Sequence, residues 1–196
     1  MLTFAISVFL LIVTPGPGVL STAGFGAAYG FKKSLSYVFG LFLGTNLVFL
    51  AVASGLIAVL LSIPSLRIFL LILSTCYLFY LASKIALAGS NIAFIKAKAA
   101  PGITSGVLLQ VINPKAYVVN TTFVSGFAFY QSNFAIELIM KFFIINAIWI
   151  PLHLIWLYAG TILHDLNLSN KNQRIINLML SFSMIAAVVI SILYSF

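Results

Sequence analysis

The sequence predicts an all-α membrane protein whose six transmembrane helices form two inverted three-helix repeats, with helices one and four broken at the midplane. Three observations carry that expectation. Of the 196 residues, 63% are hydrophobic and only 6% are charged, far from the balance of a soluble domain. The apolar residues fall into six runs of about 20 or more, the length needed to cross a hydrocarbon core. Lysine and arginine gather at alternate junctions between those runs. A soluble reading would have to clothe the whole surface with 10 basic and 2 acidic side chains.

The first run, about Leu2 to Tyr29, opens with MLTFAISVFLLIV. No basic residue precedes it and a Pro-Gly cluster stands where a signal cleavage site would fall, so it reads as an uncleaved helix. That cluster, TPGPG over Thr14 to Gly18, interrupts the helix at mid-span. Proline removes a donor and glycine adds backbone freedom. In lipid such a break survives only where protein covers it or a wet cavity adjoins it. The second run, Leu35 to Leu61, sets Gly40, Gly44, Ala51 and Gly55 on one stripe. Small residues so spaced suit close packing, inside one bundle or across a homodimer.

The third run spans Leu66 to Leu87 behind Pro64. The fourth, Ile103 to Phe129, follows GSNIAFIKAKAAPG and has its own interruption at QVINPKAY, Gln110 to Tyr117. Asn113 precedes a proline and is biased away from helix, while Pro114 leaves a carbonyl one turn earlier without its donor. The fifth, Phe134 to Leu163, follows YQSN, and the sixth, Ile175 to Tyr194, follows HDLNLSNKNQR. One transmembrane domain therefore covers residues 1–196, with repeat halves at about 1–90 and 101–196.

Charge orients the bundle. The first, third and fifth loops with their helix ends carry Lys32, Lys33, Lys84, Lys96, Lys98, Lys171 and Arg174, against Arg67 and Lys141 on the other side. The positive-inside rule places the odd loops in the cytoplasm and both termini outside. Helix four then crosses in the opposite sense to helix one, as an inverted repeat requires. The formal net charge of +8 is thus topological, and no basic face interleaved with aromatics points to nucleic acid.

Two interrupted helices at corresponding places in two inverted halves point to a transport site at the midplane. Lys115 lies more than ten positions from either end of its run, too deep to snorkel easily, so it marks a cavity or a partner. No carboxylate accompanies it: Glu137 falls near the outer end of helix five and Asp165 in a loop. A zwitterion needs only a cation for its carboxylate and dipoles for its ammonium. The predicted substrate residues are Pro15, Gly16, Pro17, Asn46, Asn113, Pro114 and Lys115, with carbonyls freed beside the prolines receiving the ammonium; Asn120 offers a further dipole. Lys115 and His153 are the proton-coupling candidates, the first because a bound carboxylate favours its charged form, the second because imidazole titrates near neutral pH. Asn146, Trp149 and His153 share a face of helix five. Tyr77 and Tyr80 read as core or interface residues. The single cysteine, Cys76, permits no intrachain disulfide, CxxC pair or thiolate metal cluster, and no HExxH, aspartyl pair or nucleophile elbow marks an enzyme. No cofactor or metal is expected.

TPGPG in the first helix, YLFYLASK (Tyr77 to Lys84) in the third and LLQVINPKAY (Leu108 to Tyr117) in the fourth resemble the lysine exporter family, LysE/RhtB, of small bacterial amino-acid exporters. GLFLGTN, WLYAG and RIINLMLSF extend the likeness over essentially the whole chain. The resemblance implies efflux of amino acids or close derivatives across the bacterial cytoplasmic membrane by proton antiport. The alternative is export of a metal ion or other small solute by a related superfold. Where many relatives carry an acid or amide after the PGP this chain has Gly18, and where they often carry an acid after the second glycine of helix two it has Thr45 and Asn46.

The topology is open to direct measurement. In a Cys76→Ser background, Lys96→Cys is expected to react with membrane-impermeant maleimide only from the cytoplasmic side; labelling of intact cells from outside would reverse the orientation.

Overall fold

The computed structural model describes residues 1–14, 16–55, 63–87, 100–166 and 169–193. Pro15, Lys96 and Lys98 lie outside the described residues. Among those described, eight helices account for the secondary structure: α1 Leu2–Val13, α2 Pro17–Tyr29, α3 Phe31–Ala53, α4 Pro64–Ala86, α5 Ile103–Ile112, α6 Pro114–Ser125, α7 Phe134–Asp165 and α8 Asn170–Leu193. Both expected interruptions are present. α1 and α2 meet at 53° across the first. At the second, Asn113 adopts an extended φ of −78° and ψ of 109°, ending α5 and capping α6 at once.

The same local chemistry restarts the helix at both breaks. Pro17 and Pro114 each occupy the first turn of the following helix, where a missing N–H costs nothing because no intrahelical acceptor faces it. α3, of 23 residues, and the stretch Phe134–Leu163 of α7, of 30, have mean hydropathy 1.9 and are long enough to span a bilayer, and α1 with α2 makes a third span when the bent pair is counted as one. The expected six-span arrangement is thus visible in part among the described residues. α7 runs through Pro151 without ending.

Burial departs from that of a soluble protein, with polar side chains inside an otherwise apolar core and large apolar ones outside. Ser21, Thr22, Ser34, Gln110, Asn113, Asn120 and His153 are buried, while Leu2, Val118, Phe143 and Phe182 are among the exposed. An apolar exterior with polar groups satisfied inside the protein is what a hydrocarbon solvent selects. The chain is a multi-pass membrane protein.

Close backbone contact holds the helices together. The broken pair α1 and α2 packs on α7, the broken pair α5 and α6 packs on α3, and α4 pairs with α8. A Cβ on Gly40 would strike the carbonyl of Ile103, and one on Gly106 the carbonyl of Tyr37, so these glycines let α3 and α5 touch backbone to backbone. Gly44 lies against Val107 in the same seam, which places the stripe of small residues inside the bundle; Gly55 has a positive φ of 76° beyond the helix and meets nothing. Gly26 and Gly160 do the same for α2 and α7. Ser181 Oγ donates to Ala82 O at 2.9 Å between α8 and α4.

Glu137 and Lys141 form a buried ion pair at 2.6 Å in the first turns of α7. Lys141 Nζ also donates to Val124 O at 2.8 Å, and Glu137 Oε2 accepts from Tyr130 N at 2.8 Å. Phe4, with Phe123, Phe127 and Phe129 around it at ring separations of 5.5 to 5.9 Å, packs beside the pair and closes this end of the bundle. Tyr77 donates to Ser105 O at 3.0 Å and stacks on Tyr80, which is an interhelical role.

Gly106→Ala is expected to destabilise the protein in detergent by about 1–3 kcal/mol, because the added methyl overpacks a backbone contact. Gly102→Ala, where a Cβ meets nothing within 4 Å, is the control and is expected to leave the melting temperature within experimental error. Equal melting temperatures for the two variants would show that the α3–α5 seam yields without cost.

Candidate functional site

The two breaks meet. Lys115 Nζ donates to Thr14 O at 2.8 Å, joining the start of α6 to the carbonyl left open at the end of α1. Sequence-local geometry aims that side chain. Asn113 Oδ1 accepts from Lys115 N at 3.1 Å, fixing the first turn of α6. On the facing break, Gly16 has no side chain to obstruct the lysine: a Cβ there would lie 2.9 Å from both Cδ and Nζ of Lys115.

One backbone hydrogen sets the polarity of the amides beside it. Because Lys115 N–H can only donate, Asn113 must present its oxygen there and its Nδ2 elsewhere. That Nδ2 lies 3.3 Å from Gln110 Oε1, so the Gln110 amide is oriented with its oxygen toward Asn113 and its Nε2 into the adjoining space. The break carbonyls are partly closed as well. Tyr117 donates its hydroxyl to Val111 O, and Thr14 Oγ1 donates to Leu10 O at 2.6 Å.

Around this junction lies a cavity of about 520 Å³, part of it open to solvent. Its polar lining includes Thr45, Gln110, Asn113, Lys115, Asn120 and His153; its apolar lining includes Leu11, Phe123, Ile145 and Trp149. Neither Glu137 nor Asp165 lines it, so Lys115 faces the space without a carboxylate. His153 stacks on Trp149 at 3.6 Å and 13°, and its Nδ1 lies 3.0 Å from Trp149 O. A Cβ on Gly18 would stand 3.7 Å from His153 Nε2 and 3.8 Å from Gln110 Nε2, so these two atoms converge on the same small volume.

Of the residues expected from the sequence, Gly16, Pro17, Asn113, Lys115 and His153 line the cavity together, and Asn120 joins them. Pro114 shapes the break without lining the space, and Pro15 is outside the described residues. Asn46 is elsewhere. Its Nδ2 donates to Asn146 Oδ1 at 3.1 Å and Asn146 Nδ2 donates back to Asn46 Oδ1 at 2.9 Å, while each amide also bonds the carbonyl one turn earlier, Phe42 or Phe142. Its neighbour Thr45 takes the cavity position. Sequence reasoning also passed over Gln110 and Tyr117. Gln110 had a usable signal, a polar residue one turn before Asn113 on an otherwise apolar half-helix. Among the described residues no group of three His, Cys, Asp or Glu side chains is placed to hold a metal ion.

The family model described as LysE type translocator matches residues 9–194, nearly the whole chain. No curated protein and no solved structure gives a significant match.

The Asn46 and Asn146 amides are expected to be coupled. Either Asn→Leu change alone leaves its partner with unpaired buried groups and costs about 1 kcal/mol in detergent unfolding. The double variant is expected to lose clearly less than the sum of the two; simple additivity would show that the pair is not a unit.

Proposed function

Because the chain belongs to the LysE type translocator family, we propose that it exports amino acids or close derivatives from the cytoplasm, favouring neutral zwitterions, driven by the proton gradient. The observation that supports this most is Lys115, a cation in a lined cavity with no carboxylate beside it. Its ammonium has three hydrogens and commits one to Thr14 O, so the others remain for a substrate carboxylate. The first turn of α2 begins at the same place, and its dipole adds to the attraction for an anion.

Alternating access follows from the way the helices are exchanged. Each broken pair packs on the long helix of the other half of the chain, α1 and α2 on α7, α5 and α6 on α3. Two inverted halves, residues 1–90 and 101–196, rocking about the cavity would expose it first to one side and then to the other. With the odd loops in the cytoplasm and the termini outside, as the charge distribution favours, the end closed by Phe4, Phe123 and the Glu137–Lys141 pair is the outer one. The bacterial cytoplasmic membrane is the setting.

Lys115→Met is expected to abolish transport in proteoliposomes while purified yield and melting temperature stay close to wild type. In the same assay neutral amino acids should outrun lysine and divalent cations, because no carboxylate lines the cavity to compensate a second positive charge. Normal transport by Lys115→Met would remove the proposed site, and lysine moving faster than every neutral amino acid would remove the proposed substrate class.

A further inference from the structure

The bond at His153 Nδ1 fixes the chemistry of the opposite ring nitrogen. Trp149 O can only accept, so Nδ1 carries the hydrogen. In the neutral form of the ring the other nitrogen, Nε2, has no hydrogen. Nε2 is then a bare lone pair. It belongs to a side chain only 3% exposed, it faces the cavity, and no protein group among the described residues donates to it. Lys115 and Gln110 Nε2 present only hydrogens to the same space. His153 Nε2 is the acceptor that complements them.

We infer that His153 Nε2 accepts a hydrogen bond from the ammonium of the substrate, and that the same lone pair is where a counter-transported proton sits when the substrate is absent. The inference rests on the zwitterion reading above and completes it: the carboxylate lies at Lys115 and the Gln110 amide, the ammonium at His153. Ammonium and proton exclude one another at one lone pair. Substrate arriving from the cytoplasm displaces the proton from Nε2 into cytoplasmic water. A proton arriving from outside displaces the substrate, and the protonated carrier returns. That exchange has the sign required of efflux driven by an inward proton gradient. Lys115, the other candidate, has the opposite sign: a carboxylate that favours its charged form would carry a proton outward with the substrate. The titratable side chains lining the cavity are these two. Toward His153, α2 presents Gly18, α5 presents Gln110 and α3 presents Thr45, none of them ionisable.

The test uses the full-length protein in detergent and in proteoliposomes, with L-valine, L-leucine and L-threonine as probes and N-acetyl-L-valine as the analogue that has no ammonium. Affinity of the wild type for valine should weaken on acidification, as a proton on Nε2 competes with the substrate ammonium. His153→Phe, which keeps an aromatic ring on Trp149, should weaken valine at least about tenfold and leave N-acetylvaline within about twofold, as expected for loss of one buried acceptor for a charged donor. His153→Gln, whose amide oxygen accepts but carries no proton, should retain valine counterflow and lose both the acid dependence and accumulation driven by a pH gradient. Equal weakening of valine and N-acetylvaline in His153→Phe would reduce the residue to a packing role and overturn the inference, and so would gradient-driven accumulation by His153→Gln. Lys115→Met separates the two readings: unchanged affinity for both compounds in that variant refutes the carboxylate site while the His153 results stand on their own. Absence of wild-type binding to all three amino acids refutes both.

Discussion

The whole site depends on one requirement, that backbone groups opened by a helix break inside a membrane find partners in the protein. The described residues contain two such breaks, and the Lys115–Thr14 bond ties one to the other. A lysine in lipid costs at least about 2.5 kcal/mol at the helix centre, and an orphan carbonyl costs a comparable amount, so each offsets the other when they meet. The contact leaves the ammonium only partly satisfied. Two of its hydrogens face a cavity, and the group that closes the backbone is therefore also the group that can receive an anion. Tyr117 and Thr14 complete the closure by taking Val111 O and Leu10 O, so fewer carbonyls remain for an incoming ammonium than the sequence implied. That scarcity turns attention to His153, whose nitrogen is free for the purpose.

The rocking proposed above would require shallow seams and a joint that survives rotation. The α3–α5 and α2–α7 contacts supply the first, because glycine against backbone leaves no interlocked side chains to disengage. The Asn46–Asn146 pair has the character of the second. Its two hydrogen bonds run in opposite directions, one from α3 to α7 and one back, so each amide is donor and acceptor to the other. Each amide is also tied to its own helix through Phe42 O or Phe142 O, which keeps both in register while the helices shift. The Glu137–Lys141 pair behaves differently. It fastens α7 to the end of α6 through Val124 O, and separating one partner from the other within a buried environment costs several kcal/mol, so it favours the closed end seen here.

The breaks were legible in the sequence because proline and glycine act locally: a missing donor at Pro17 or Pro114 interrupts a helix whatever surrounds it. Lys115 was legible for the same reason, since its depth in an apolar run is a one-dimensional fact. Helix rotation is not. Asn46 and Thr45 differ by about 100° around α3, which decides that one faces Asn146 and the other the cavity, and nothing local to GLFLGTN sets that angle. The stacking of His153 on Trp149 followed from their shared face, but the tautomer did not, because it depends on which ring nitrogen meets the Trp149 carbonyl. Gln110 is similar. Its donor end is known only once the chain of bonds from Lys115 N through Asn113 is in place. The glycine stripe left bundle and homodimer open in the sequence, and the contacts with Ile103 and Val107 place its first half, Gly40 and Gly44, within the bundle.

Selection for a neutral zwitterion then follows from charge arithmetic on the proposed site. A zwitterion with its carboxylate at Lys115 and its ammonium at His153 brings no net charge of its own into the cavity, so the surrounding hydrocarbon is asked to solvate no added charge. A dibasic substrate adds a further cation. At about 6 Å from Lys115 with an effective dielectric of about 20, that charge is repelled by about 3 kcal/mol, roughly a hundredfold in affinity. A buried acid could cancel it, and this chain has Gly18 and Thr45 lining the cavity where an acid would have to stand. Gly18 has a second consequence: any side chain there would enter the volume shared by Gln110 Nε2 and His153 Nε2. The absence of a side chain at residue 18 therefore does two things at once, withholding the counter-charge that a dibasic substrate needs and leaving the imidazole lone pair open to an ammonium or a proton.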